Sequence, residues 1–127
     1  FRSLRVDAKA NAAVDVADAF ADALAQGDLD TVKSLLAEDV IVLESGGVEA
    51  SRDEYFAHHA AADAKYLADA TQTITRRIAK AEGGTVWIAT ESTLAKPNQS
   101  PGKNTETLVL AKRGGSWKIV HIHWSNR

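Results

Sequence analysis

The chain changes character near residue 70, and that change constrains the fold more than any single motif. Residues 1–70 hold 18 of the 23 alanines and carry 6 Lys and Arg against 14 Asp and Glu. Residues 71–127 carry 9 against 3 and contain all three tryptophans. Alanine favours helix, whereas Thr, Val, Ile and Trp favour strands. A helical acidic half followed by a stranded basic half reads as α+β, in one domain spanning residues 1–127. The chain has no cysteine, which removes disulfides and thiol chemistry from consideration. A net charge of −2 argues against a dedicated nucleic-acid binder. No stretch approaches the roughly 20 apolar residues of a membrane span.

Hydrophobic spacing divides the chain further. Val6, Ala10, Ala13, Ala17, Phe20 and Leu24 recur at three- and four-residue intervals, which predicts a helix over 7–26. Gly27 stops it, and Asp28 caps a second short helix with a stripe of Leu29, Val32, Leu35 and Leu36. Val40 to Ser45 reads as a strand broken by Gly46-Gly47. Ser51 with Glu54 has capping-box spacing and opens a third helix running to Leu67. Four strands follow at 71–81, 84–96, 104–113 and 116–125, with tight hairpins at Gly83-Gly84 and Gly114-Gly115.

The ending Trp117-Lys-Ile-Val-His-Ile-His-Trp-Ser125 and the run Gly27-Asp-Leu-Asp through Glu38-Asp39 resemble the nuclear transport factor 2-like superfamily. Glu44-Ser-Gly, Ser51-Arg-Asp-Glu-Tyr55, His58-His59 and Asp63 resemble its SnoaL-like bacterial branch. The resemblance implies a cone-shaped, curved antiparallel sheet packed on three helices, and a homodimer joined through the outer sheet face. The superfamily holds isomerases, cyclases, dehydratases and pure binding modules, so fold alone selects no activity. The ending also resembles the association domain of calcium/calmodulin-dependent kinase. Trp124 and Leu108 stand where that domain has arginines.

Candidate site residues come from helix and strand periodicity. At 100° per residue, Tyr55, His59, Asp63, Phe56, Leu67, Ala60 and Tyr66 fall within an arc of about 140°. His59 and Asp63 lie on it one turn apart, a spacing at which a carboxylate can orient an imidazole as a general base. The alternative is that both satisfy buried polar partners where helix meets sheet. Alternation puts Arg76 on one face with Ile74 and Ile78, where it needs an acid or an anionic ligand, and turns Arg77 the other way.

On the last strand, Trp117, Ile119, His121 and His123 share one face, and Lys118, Val120, Ile122 and Trp124 the other. His-x-His spacing gives two metal ligands where a site needs three or four, and Glu91 adds a third only if it has the same parity, so no metal site is expected. The kinase-domain resemblance sends both histidines outward, and Trp87, Glu91, Trp117, His121 and His123 then form the dimer face. Ile88, Thr90, Leu108, Leu110, Ile122 and Trp124 point inward from the sheet, closed from the helices by Phe20, Tyr55, Phe56, His59 and Asp63. Glu44 stands at the mouth.

A mostly apolar cavity with a few polar groups is the usual form of a small-molecule site. The expected occupant is a hydrophobic or aromatic molecule with one polar group, held by Glu44, Phe20, Arg76, Thr90, Leu108, Ile122 and Trp124. On the same cavity, a cofactor-free isomerase, dehydratase or cyclase would use His59 with Asp63, and Tyr55 or Arg76 would stabilise negative charge. A third reading is an assembly module acting through the sheet face. No phosphate loop, G-x-S-x-G elbow or H-E-x-x-H is present, and no cofactor is expected. The chain starts at Phe1, and relatives of this branch often carry signal peptides. Export is therefore the expected localisation, and the cytoplasm otherwise.

Overall fold

The computed structural model describes residues 3–126. After strand β1 (Ser3–Val6) and a 3-10 turn at Ala8–Ala10, helix α1 runs over Asn11–Gln26. Its buried face is Ala13, Ala17, Phe20, Ala23 and Leu24, the spacing visible in the sequence. Gly27 ends it at φ 73°, a conformation glycine adopts without a Cβ penalty. Asp28 then caps α2 (Leu29–Leu35), accepting from Thr31 N at 3.3 Å and from its hydroxyl at 2.7 Å.

Strand β2 (Leu36–Glu44) begins where α2 ends, four residues earlier than periodicity indicates. Ser45 and Gly46, at φ 51° and 82°, turn it into the short β3 (Gly47–Glu49). Ser51 caps α3 (Arg52–His58) through Glu54 N at 3.1 Å. The chain leaves helical geometry at His59 (φ −132°, ψ −29°) and resumes as α4 (Ala60–Leu67). The expected third helix is therefore two, and the change of axis at His59 redirects the side chains that follow.

Strands β4 (Thr71–Glu82), β5 (Thr85–Ala95), β6 (Gly102–Arg113) and β7 (Ser116–Asn126) form the expected antiparallel meander. The seven strands run in the order β1-β4-β5-β6-β7-β2-β3. The α+β class and curved sheet are as expected, but the sheet is mixed and not closed. β1 pairs parallel to β4, and β2 parallel to β7. The core lies between the helices and the inner sheet face. Phe20, Leu24, Ile88, Leu108, Leu110, Ile119 and Ile122 are all buried there, each stabilising the fold by about 1.5–3 kcal/mol.

Two bulges decide which side chains face the core, because one extra residue inverts the alternation beyond it. Ile74 pairs with Ser92 but Arg76 with Glu91, so Thr75 is the extra residue. Its hydroxyl bonds the Glu91 carbonyl and carboxylate at 3.2 and 2.8 Å. Beyond it Arg77 and Ala79 turn inward and Arg76 is exposed, reversing the sequence-based assignment. In β7, Val109 pairs with His121 but Leu110 with Ile119, which leaves Val120 extra. Ile119 is thereby fully buried. Trp117 packs against the core and does not share a face with His121, His123 and Trp87.

Candidate functional site

A cavity of about 140 Å³ opens between α1, α4, the end of β2 and the inner ends of β4 to β7. Phe20 and Leu24 line it from α1, Asp63 and Leu67 from α4, and Glu44 from β2. Gln72, Ser92, Leu94, Glu106 and Trp124 line it from the meander. The volume matches one that holds a single benzene-sized ring in an engineered protein cavity.

One wall is a cross-strand row. Glu44 is in register with Trp124, Trp124 with Glu106, Glu106 with Thr90, and Thr90 with Arg77. Residues directly opposite on neighbouring strands share a face, so this row crosses five strands on the inner side. Trp124 Nε1 donates to Glu106 Oε2 at 2.8 Å. The Trp124 ring lies 6.3 Å from Phe20, at 18° between planes, and 6.2 Å from Tyr55. Arg77 donates from Nε to Thr90 Oγ1 at 3.1 Å and from Nη1 to Asp18 Oδ1 at 2.8 Å. Burial raises the Glu106 carboxyl, while Trp124 and the Arg77 charge oppose that rise.

The polar end is built by Tyr55, Asp63 and Glu44. Tyr55 is fully buried, and its hydroxyl donates to Asp63 Oδ2 at 2.8 Å. Glu44 lines the same cavity, and its carboxyl interacts with that of Asp63. Burial first, and then the neighbouring Asp63 charge, push the Glu44 carboxyl up to about 7. Burial also raises Asp63, against the pull of the Tyr55 and Glu44 hydrogen bonds. Two neighbouring half-buried carboxyls hinder each other's ionisation. Glu44 Oε1 is buried and has no partner among the described residues.

His59 lies elsewhere. The break in the helix turns its Nδ1 to Glu49 Oε1, as an ion-pair contact and not an aligned hydrogen bond. His58 Nδ1 meets the other oxygen of the same buried carboxylate at 3.1 Å. The His58 hydrogen bond is the main cause that holds Glu49 below the usual carboxylate range. Asp63 thus takes Tyr55 and Glu44 as partners, and the expected His59–Asp63 pair is not made.

Of the residues expected to bind ligand, Glu44, Phe20 and Trp124 line the cavity. Leu108 and Ile122 lie in the core beneath it. Thr90 is buried as the support of Arg77, and Arg76 is exposed on the outer side. Glu106 was open to discovery by simple alternation from Leu108 and Leu110, and Ser92 and Leu94 by alternation from Thr90. Glu49 carried no such signal, since a three-residue strand shows no period. On the outer face, Ile41, His121, Val109 and Trp87 form one cross-strand row, and Val48, Leu43, His123, Thr107 and Ala89 the next. Glu91 follows, and His121 Nδ1 is bonded to the Ile41 carbonyl at 2.8 Å.

A helix-covered, curved mixed sheet is the architecture of the nuclear transport factor 2-like proteins. The SnoaL-like domain model matches residues 14–126, and the chain belongs to that family. A structure from Shewanella frigidimarina, provisionally assigned as a ketosteroid isomerase, is 35% identical, with a TM-score of 0.88 over 96% of this chain and 98% of that one. A provisionally assigned dehydratase of the NTF2-like family from Streptomyces avermitilis is similar at 18% identity and a TM-score of 0.77, over 94% and 96%. The CaMKII hub of S. rosetta is similar at 20% identity and 0.73, over 92% and 95%. The last two show the fold alone. No protein of curated function matches the chain in sequence.

Proposed function

We propose that this chain is a small-molecule-binding domain whose cavity takes an apolar or aromatic ligand bearing one polar group. One observation carries this: the stacked Phe20–Trp124 pair and the carboxyls of Glu44 and Asp63 line the same 140 Å³ cavity. Rings give a ligand apolar area and orientation, and a few polar groups on an otherwise apolar wall fix its polar end. The test is a ligand screen by thermal shift, repeated on Ala25→Phe, which fills the cavity from α1. Binding that disappears in the filled variant supports the reading. Equal binding by the filled variant contradicts it.

A second reading is favoured by the raised Glu44 carboxyl beside Asp63. A carboxyl that titrates near neutrality inside a cavity is suited to general acid–base transfer. In that version Glu44, backed by Asp63 and Tyr55, replaces His59 as the proton carrier of an isomerase or dehydratase. Glu44→Gln would then abolish turnover while retaining binding.

The outer sheet face supports self-association. Ile41, Val48 and Trp87 are 46%, 63% and 37% exposed there, and apolar groups on one face in this number mark an interface. A homodimer through this face is the proposal, and a hub among the structural neighbours is consistent with it.

A further inference from the structure

Resting on the binding reading above, we infer that the ligand is a small organic cation: a protonated amine on an apolar or aromatic body, its ammonium group seated by Glu44, Asp63 and Glu106. Three carboxyls line the cavity, and no Lys, Arg or His among the described residues does. Glu44 and Glu106 flank Trp124 on either side in register, and Phe20 stacks against its ring. An aromatic face between two carboxyls attracts cations both by charge and by its quadrupole.

The nearby basic groups are already engaged. Arg77, behind Glu106, pairs with Asp18 at 2.8 Å, Lys96 pairs with Asp69 at 2.8 Å, and His59 faces Glu49. The Tyr55 O–H donates to Asp63, and no protein donor among the described residues reaches Glu44 Oε1. An ammonium group brings three N–H donors and a positive charge. The amine enters as its cation, and a proton carried by the raised Glu44 carboxyl passes to solvent. An anionic ligand meets like charge instead. A neutral carbonyl compound, accepting a hydrogen bond from protonated Glu44, is the competing occupant.

Benzylamine, benzyl alcohol and benzoate carry one ring with three head groups, and each is titrated into the protein at pH 6.0. The readout is the Trp124 indole N–H NMR signal, assigned with Trp124→Phe. Calorimetry in two buffers of different ionisation enthalpy counts the protons released. The expected result is a benzylamine shift with affinity at least tenfold above benzyl alcohol, proton release on binding, and a tenfold or greater loss in Glu106→Gln. Benzyl alcohol or benzoate binding as tightly as the amine overturns the cationic class and leaves the binding reading standing. If none of the three moves the Trp124 signal, the cationic class falls, and the screen with Ala25→Phe decides the binding reading separately.

Discussion

The Tyr55 hydroxyl reaches Asp63 Oδ2 at 2.8 Å across the helix break at His59, eight residues along the chain. An unbroken helix would carry the two side chains on one face two turns apart, beyond direct contact. The break folds α4 back so that the fully buried phenol becomes the donor that steadies the acid pair. That contact ties the architecture to the chemistry, because the proton held by Glu44 depends on what Asp63 receives.

Tyr55→Phe tests it. Removing the hydroxyl leaves a half-buried carboxyl short of a donor, at a cost of about 1 kcal/mol in urea unfolding. The Tyr55 bond holds Asp63 down, so carboxyl-carbon NMR is expected to show Asp63 titrating at higher pH in the variant. An unchanged titration would mean that the bond does not form in solution.

Glu44 predicts a pH-dependent stability. Its folded pKa is raised from 4.5 to about 7, so the folded state binds its proton more tightly than the unfolded state. Stability from this group is complete below 4.5 and is lost as pH rises through 7. Glu44→Gln removes that loss, so its melting temperature relative to the parent is expected to climb between pH 5 and 8. Glu49 is shifted the other way, and its contribution disappears only as pH falls below the usual carboxylate range. A difference between variant and parent that stays flat across pH 5–8 would contradict the raised Glu44 carboxyl.

The two adjacent arginines are expected to behave oppositely. Arg77→Met breaks a pair to Asp18 and withdraws the cation facing Glu106, at about 2 kcal/mol or more. Asp18 is half exposed, which keeps the cost below that of a fully buried pair. Arg76→Ala, on the outer side, is expected to change stability by no more than about 0.5 kcal/mol. Chemical denaturation of both variants decides this, and equal losses would contradict the bulge at Thr75.

The tryptophans separate in the same manner. Trp87→Lys puts a charge into the outer apolar row and is expected to yield monomers by sedimentation, with the fold retained. Trp117→Ala removes a ring packed on the core, costing about 3 kcal/mol without changing the association state. Monomers from the Trp117 variant and dimers from the Trp87 variant would reverse the face assignment.

How far the sequence could be read follows from where alternation survives. Phe20 and Leu24 lie on a regular helix, Glu44 ends a strand, and Trp124 follows from Ile122 by period two, so their placement was legible. Arg76 and Arg77 exchange roles because Thr75 is unpaired, and Trp117 leaves the outer face because Val120 is. Bulges depend on pairing with a partner strand, which no local pattern encodes. His59 is redirected by a helix break with no proline or glycine to announce it, and Glu49 by a strand too short to show a period. The fold class was therefore readable from composition and spacing. The partners of Asp63 were not, because they depend on tertiary placement.

The most direct test of the central claim is to map a diverse fragment library onto the assigned amide and indole NMR spectrum of the protein. The account predicts that hits perturb Phe20, Glu44, Asp63, Glu106 and Trp124 together. Hits that collect around Trp87, Ile41 and His121, with the cavity residues unmoved, would contradict it and leave the outer sheet face as the functional surface.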